Sequence, residues 1–196
     1  MARARALTSA FFDRDALEVA PELLNKVLIG NAVSARLVEV EAYRADEDPG
    51  SHAYRGRTSR NASMFAAPGT LYVYFSYGVH WCMNAVCGPG ARAHAVLLRA
   101  AAPVTGLELM RARRVKATRD RDLTSGPGRL GQAFAADRAL DGTNLRRGPL
   151  RIVDDGIPPP ADPGVSARIG LGRGKGEHLP YRFYVRGDEN ISRPPR

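Results

Sequence analysis

Lysine is nearly missing from this chain. Of 29 basic residues only Lys26, Lys116 and Lys175 are lysines; the rest are arginines. None of the three falls within residues 37–84, so that stretch has no amine nucleophile. Cysteine is as scarce. Cys82 and Cys87 are too few and too close for a disulfide framework, and no Cys or His pair has zinc-ligand spacing. They read as two small buried hydrophobes in a reducing compartment. No apolar run approaches the roughly 18 residues of a membrane span. The opening MARARALTSAFF is basic and then briefly apolar, but Asp13, Arg14 and Asp15 cut it short, so a cytoplasmic location is expected, at the nucleoid if the source is bacterial. There is no internal repeat and no linker. The glycines at 170, 172, 174 and 176 do not spell G-x-G-x-x-G and join no strand to a helix, which excludes a dinucleotide site. Neither metal nor cofactor is expected.

What the chain has in excess is positive charge. Twenty-nine basic residues against 20 acidic give a formal net charge of +9. Arginine suits bidentate phosphate contact, although an Arg-for-Lys bias also accompanies a GC-rich genome. A merely solvated basic surface fits less well than a binding face, because Arg55, Arg57 and Arg60 cluster in one loop beside tyrosines. Nucleic acid is therefore the favoured partner. With 196 residues the chain can bury roughly 70% of its unfolded surface, and it reads as one domain, 1–196, with residues 1–8 and 190–196 as flexible ends.

Taken in order, Asp13 or Asp15 caps a helix through DALEVAPELLN, where Pro21 is tolerable only near the first turn. Residues 26–29 form a strand, Gly30-Asn31 a turn, and 35–42 the antiparallel partner. Alternation there puts Glu39, Glu41 and Tyr43 on one face and Val38, Val40 and Ala42 on the other. Residues 44–68 have no sustained period and form a long, ordered loop of the kind that usually carries function. Residues 70–76 and 80–86 make a β-hairpin with Tyr77 at its tip, and another strand spans 94–99. Thr105 and Glu108 match a capping box ahead of LELMRARRVK. TSGPGRLGQAF is a turn into a short helix, either an ordinary junction or a phosphate cradle formed by Ser125, Gly126 and Arg129. Strands follow at 150–153, 168–171 and 181–185. The result is a mixed α+β domain with a curved antiparallel sheet and a protruding hairpin.

The segment 37–84 thus gathers a carboxylate, several aromatics and several guanidiniums. Such a set suits a site that holds a flat heterocycle beside a polyanionic backbone and attacks the bond between them. A lone strand carboxylate such as Glu41 is, on residue type alone, more often a surface group or an ion-pair partner. Tyrosines at period two are equally the mark of an ordinary sheet face.

The strings VEVEAY (38–43), EDPGSHAYRGRTSRN (47–61) and MFAAPGTLYVYFSYGVHWCMN (64–84) resemble the alkyladenine (3-methyladenine) DNA glycosylase family of base-excision repair. VLLRA, LTSGPGRLGQAF and RFYVRG continue the resemblance in the family's order. It implies a formyltransferase C-terminal-domain-like fold and a monomer acting on double-stranded DNA with a damaged purine. Glu41 matches the catalytic glutamate that activates water, and Arg99 the arginine that orients that water or the adjacent phosphate. Tyr43, His52 and Tyr74 match the residues that sandwich the flipped base, and Gly50 and His52 the backbone N–H groups that read its edge. Asn84 matches the side chain that crowds guanine's exocyclic amine. Tyr77 matches the residue that fills the gap in the duplex. Arg55, Arg57, Arg60, Ser125, Gly126 and Arg129 are the candidates for phosphate contact. Tyr72 stays outside this set. Glu39 shares the face of Glu41 and raises its pKa if it is close and unpaired.

The implied activity is a monofunctional glycosylase that leaves an abasic site; with no lysine in these strings, no lyase step is expected. Three departures stand out. Val79 and His80 replace a bulkier apolar residue and an aromatic, which thins the wedge, and Ser59 replaces a proline, which loosens its loop. Two other readings share the composition: a catalytically silent module that binds damaged or structured nucleic acid, and an RNA- or ribosome-associated protein.

Overall fold

The alternation around Glu41 grows into the longest ladder of the protein. In the computed structural model, which describes residues 4–194, strand β3 runs Val33–Arg44 and pairs along its length with β6, His94–Thr105. Its other edge is shared. The first half takes β2, Val27–Gly30, and the second takes β9, Arg182–Tyr184, which carries β8, Gly164–Ser166. The hairpin of β4, Leu71–Ser76, and β5, His80–Cys87, extends the sheet beyond β6. Beyond β2 lie β7, Leu150–Asp154, and the short β1, Arg5–Ala6. Every pairing is antiparallel, and the sheet has nine strands among the described residues. This is the mixed α+β architecture expected.

Helices α1 (Ser9–Phe12), α2 (Ala16–Leu23), α3 (Leu107–Arg113) and α4 (Pro127–Ala133) lay Phe12, Val19, Leu23, Met110 and Leu130 against Leu37, Val40 and Leu98 in the main core. Each such side chain, fully buried, contributes about 1.5–3 kcal/mol of hydrophobic stabilisation. Two features of the helices depart from expectation. Pro21 sits inside α2, where it removes one hydrogen bond from a helix that ends two residues later, at Leu23. The capping box does not form: Thr105 spends its hydroxyl on Ser34 across the sheet (2.7 Å), and Gly106, at φ 76°, starts α3 instead.

Register accounts for the other departures. The β2–β3 turn is Asn31-Ala32, both left-handed, because Gly30 pairs with Val33. Gly30 is needed elsewhere, since a Cβ there would lie 2.3 Å from Leu150 Cδ2. The predicted strand at 168–171 is absent; the pairing segment is Gly164–Ser166, and the chain turns away once the Arg168 guanidinium is buried against Asp48. The register of β3 shifts between Leu37 and Val40, and Glu39 and Glu41 are both wholly buried rather than facing solvent.

Candidate active site

A cleft of roughly 930 Å³ is lined chiefly by the end of β3, the loop after it, the β4–β5 hairpin, the facing part of β6, and a glycine-rich loop that begins at Ile169. Tyr43, His52, Tyr74, Asn84 and Arg99 all line it. Glu41 lies just behind this lining. Its Oε2 accepts from the Tyr43 hydroxyl (2.9 Å), and its Oε1 from Ile169 N–H (2.7 Å) with Arg99 Nη1 at 3.2 Å. Of these three partners one is a backbone donor, one is a fixed charge in an ion pair and one is a half-buried phenol. Burial first, and then the neighbouring Glu41 charge, push the Tyr43 phenol well above its ordinary range, so it donates at any physiological pH.

Glu39 does not crowd Glu41 as an unpaired charge. Burial pushes its pKa upward, but Arg99, Arg182 and the Ser192 N–H outweigh that and hold it below the ordinary carboxylate range. Arg99 Nε and Arg182 Nε both donate to Oε1, at 2.9 and 2.7 Å.

Tyr43 is braced from behind. The Arg168 guanidinium lies over its ring at 4.5 Å, and over the Tyr181 ring at 5.3 Å. Arg168 is fully buried, paired to both oxygens of Asp48, and donates to Ala42 O (3.0 Å). Across the cleft, His52 meets Tyr74 edge to face with centroids 4.5 Å apart. Tyr72, outside the predicted set, lines the cleft and bonds His52 Nδ1 through its hydroxyl (3.0 Å), fixing the imidazole. Partial burial, then the charges of Arg60 and Lys175, hold His52 below its ordinary pKa, which keeps it neutral. Asn84 is anchored through Nδ2 to Tyr72 O (3.2 Å).

Other predicted residues take different positions. Gly50 N–H donates to Asp48 Oδ1 (2.9 Å) within its own loop, whereas His52 N–H has no protein partner among the described residues. Gly50 is required for packing, because a Cβ there would come 2.8 Å from Lys175 O. Tyr77 is 89% exposed and adopts φ 50°, a left-handed conformation that non-glycine residues take at a cost of about 1–2 kcal/mol. Val79 beside it is also exposed, while His80 packs on α4, where a Cβ on Gly128 would lie 2.6 Å from its ring. Arg55 and Arg57 are exposed and make no ion pair among the described residues; Arg60 lines the cleft. The loop around Ser59 is held by Asn61, which donates to His52 O (2.7 Å) and Gly56 O (3.0 Å). Ser125 and Arg129 bond each other (2.9 Å), and Arg129 also pairs with Asp122, beside Gly126 at the start of α4.

Four groups at this site were not read from the sequence. Asp48 and Arg168 lie far apart along the chain, and no local pattern pairs them. Ile169 acts through its backbone, which has no residue signature. Lys175 enters the cleft lining from a distant loop, so an amine is present there after all. The rejected glycine run thus has a use: it carries Ile169 and Lys175 to the site.

A family model described as methylpurine-DNA glycosylase (MPG) matches residues 10–189. The chain belongs to the methylpurine-DNA glycosylase family. Relatives of this glycosylase family cover nearly the whole chain. A protein of Burkholderia orbicola (strain MC0-3) named "Putative 3-methyladenine DNA glycosylase" is 53% identical over 186 residues, 93% of this chain and 89% of its own. One of the same name from Streptomyces avermitilis is 48% identical, covering 95% and 90%. Another, from Carboxydothermus hydrogenoformans, is 43% identical, covering 95% and 98%.

Proposed function

We propose that this chain is a monofunctional DNA glycosylase that flips alkylated or deaminated purines, such as 3-methyladenine or hypoxanthine, out of duplex DNA and hydrolyses the N-glycosidic bond. The observation that carries the reading is the Glu41 carboxylate, buried at the back of an aromatic cleft and flanked by Arg99. As the base leaves with the bonding electrons, the sugar becomes oxocarbenium-like and a water must be deprotonated on the opposite face. Glu41 supplies both the stabilising charge and the proton acceptor. Of its three partners, Ile169 N–H is backbone and Arg99 is pinned by Glu39, so Tyr43 is the one that turns aside to admit water at Oε2.

Flipping a base costs a few kcal/mol, and stacking returns about 1–3 kcal/mol per aromatic. Tyr43, braced by Arg168, and the His52–Tyr74 pair supply two such walls. Neutral His52 does not repel a cationic alkylated purine, and its unpaired N–H is free to read the purine edge. Asn84 crowds the exocyclic amine of guanine. Tyr77 fills the vacated position in the duplex, with Val79 a thin flank. Arg55, Arg57 and Arg60, with Ser125, Gly126 and Arg129 opposite, hold the phosphates. The fold is that of formyltransferase C-terminal domains, and the enzyme works as a monomer in the cytoplasm.

Single-turnover release from duplexes carrying one hypoxanthine or one ethenoadenine tests this. Wild type releases free base, and Glu41→Gln binds the lesion but releases none, a loss of at least about 10³-fold. Binding by wild type without release from either duplex, or from methylated DNA, would leave a recognition module in its place.

A further inference from the structure

Arg99 has three donor positions in use. Nε donates to Glu39 Oε1 (2.9 Å), Nη2 to Ser192 Oγ (3.2 Å), and Nη1 faces Glu41 Oε1 (3.2 Å). A guanidinium is a rigid plane, so two fixed contacts determine where the third donor points, while one contact leaves a pivot. Ser192 is the second fixed point. It is fixed in turn, because its backbone N–H donates to Glu39 Oε2 and its hydroxyl donates to Glu39 Oε1 (2.8 Å). Arg182 closes the assembly, with Nε on Glu39 (2.7 Å) and Nη2 on Arg193 O (2.6 Å). The segment around Ser192, within the stretch expected to be a loose end, is therefore strapped across β3, β6 and β9. It also runs beside the phosphate-contact candidates: a Cβ on Gly126 would sit 4.0 Å from Ser192 Cβ, and Ser125 bridges Ala100, the residue after Arg99.

We propose that Ser192 is a positioning residue for base release, and that this C-terminal strap, together with β6, holds the Arg99 guanidinium in the plane that presents Nη1 to Glu41. The inference rests on the reading of Glu41 and Arg99 as the reacting pair. Glu39 belongs to the same device. It touches neither the cleft nor Glu41, and its charge serves to anchor the two fixed edges of Arg99.

The test compares Ser192→Ala with Ser192→Thr in single-turnover base release, with lesion binding measured for each in a Glu41→Gln background. The alanine variant keeps the backbone bond to Glu39 and loses the hydroxyl, so release slows about 10-fold, the small end of what misplacing a reacting group causes. Its lesion-duplex Kd stays within about 2-fold and its melting temperature within about 3 °C; threonine restores the rate. Release by the alanine variant at the wild-type rate overturns the inference, as does a slow rate that tracks a parallel loss of melting temperature and is not recovered by threonine. Absence of release from wild type itself would instead remove the glycosylase reading, and this inference with it.

Discussion

Glu39 and Glu41 stand two residues apart on one strand, both wholly buried, and their surroundings differ in one respect that decides what each can do. Glu39 accepts from two arginine Nε atoms, a backbone N–H and a hydroxyl, all from groups with no freedom to leave. Glu41 accepts from a backbone N–H and a tyrosine whose ring borders an open cleft, and is ion-paired to an arginine shared with Glu39. Burial alone therefore does not mark a reactive carboxylate. The mark is burial with one donor that can be exchanged for water. On the proposed reading, the first site keeps a charge in place and the second uses one.

The difference is sharpest when each carboxylate is made neutral. Glu39→Gln leaves Arg182 with no carboxylate partner and Arg99 with Glu41 alone. Breaking a buried pair in this way costs about 3–5 kcal/mol, visible as a fall in the denaturation midpoint. Glu41→Gln keeps an oxygen for Ile169 N–H, turns its amide N–H toward the Tyr43 hydroxyl and leaves Arg99 paired to Glu39, so its expected stability cost is about 1 kcal/mol while base release is expected to be abolished. Equal destabilisation by the two substitutions would break the comparison. A smaller effect is expected from Tyr43→Phe, which keeps the stacking face over Arg168 and deletes only the exchangeable donor. Deleting a hydrogen bond of about 1 kcal/mol that must break before water enters corresponds to roughly a 5-fold faster release, with lesion binding within about 2-fold. A Tyr43→Phe variant that loses binding rather than gaining rate would show that the hydroxyl serves the base and not Glu41.

The same contrast explains what could be read from the sequence. Period-two alternation gave β3, the hairpin and the facing of Tyr43 and Tyr74, because each depends on local geometry that residue types report. Glu41, Arg99, His52 and Asn84 were reached through the resemblance of whole strings to a family. What stayed hidden were the partners that arrive from far along the chain. Arg168 behind Tyr43, Ser192 beside Arg99 and Lys175 at the cleft belong to segments that looked like a strand, a loose tail and a spent glycine run. The failed capping box teaches the same point, since Thr105 had a cross-strand partner, Ser34, that no local pattern announces. Lys175 also qualifies the argument against a lyase step, because it restores an amine to the cleft. Borohydride reduction of the enzyme with abasic duplex is expected to trap no covalent adduct, and a trapped adduct lost in Lys175→Arg would show a second activity.

The smallest effect concerns pH, where the two regions should separate in the order of their titrations. Glu39 is depressed, so its contribution to stability is present above the ordinary carboxylate range, near 4.3, and is lost only as pH falls through its lower folded value. His52 is a base held below its ordinary value near 6.5, first by partial burial and then by Arg60 and Lys175. Below that pH the unfolded chain takes up the proton that the folded cleft resists, so stability falls with acidification before Glu39 is touched. Melting temperature measured from pH 8 to 4 should decline in two stages. His52→Gln should flatten the upper stage in part only, because His94, depressed by burial before any effect of Asp15 or Arg44, titrates in the same direction. The lower stage should be unchanged in that variant. If His52→Gln left the upper stage as steep as in wild type, the imidazole would not be held neutral by its surroundings, and the cleft would present a protonated wall to a cationic base as the medium acidified.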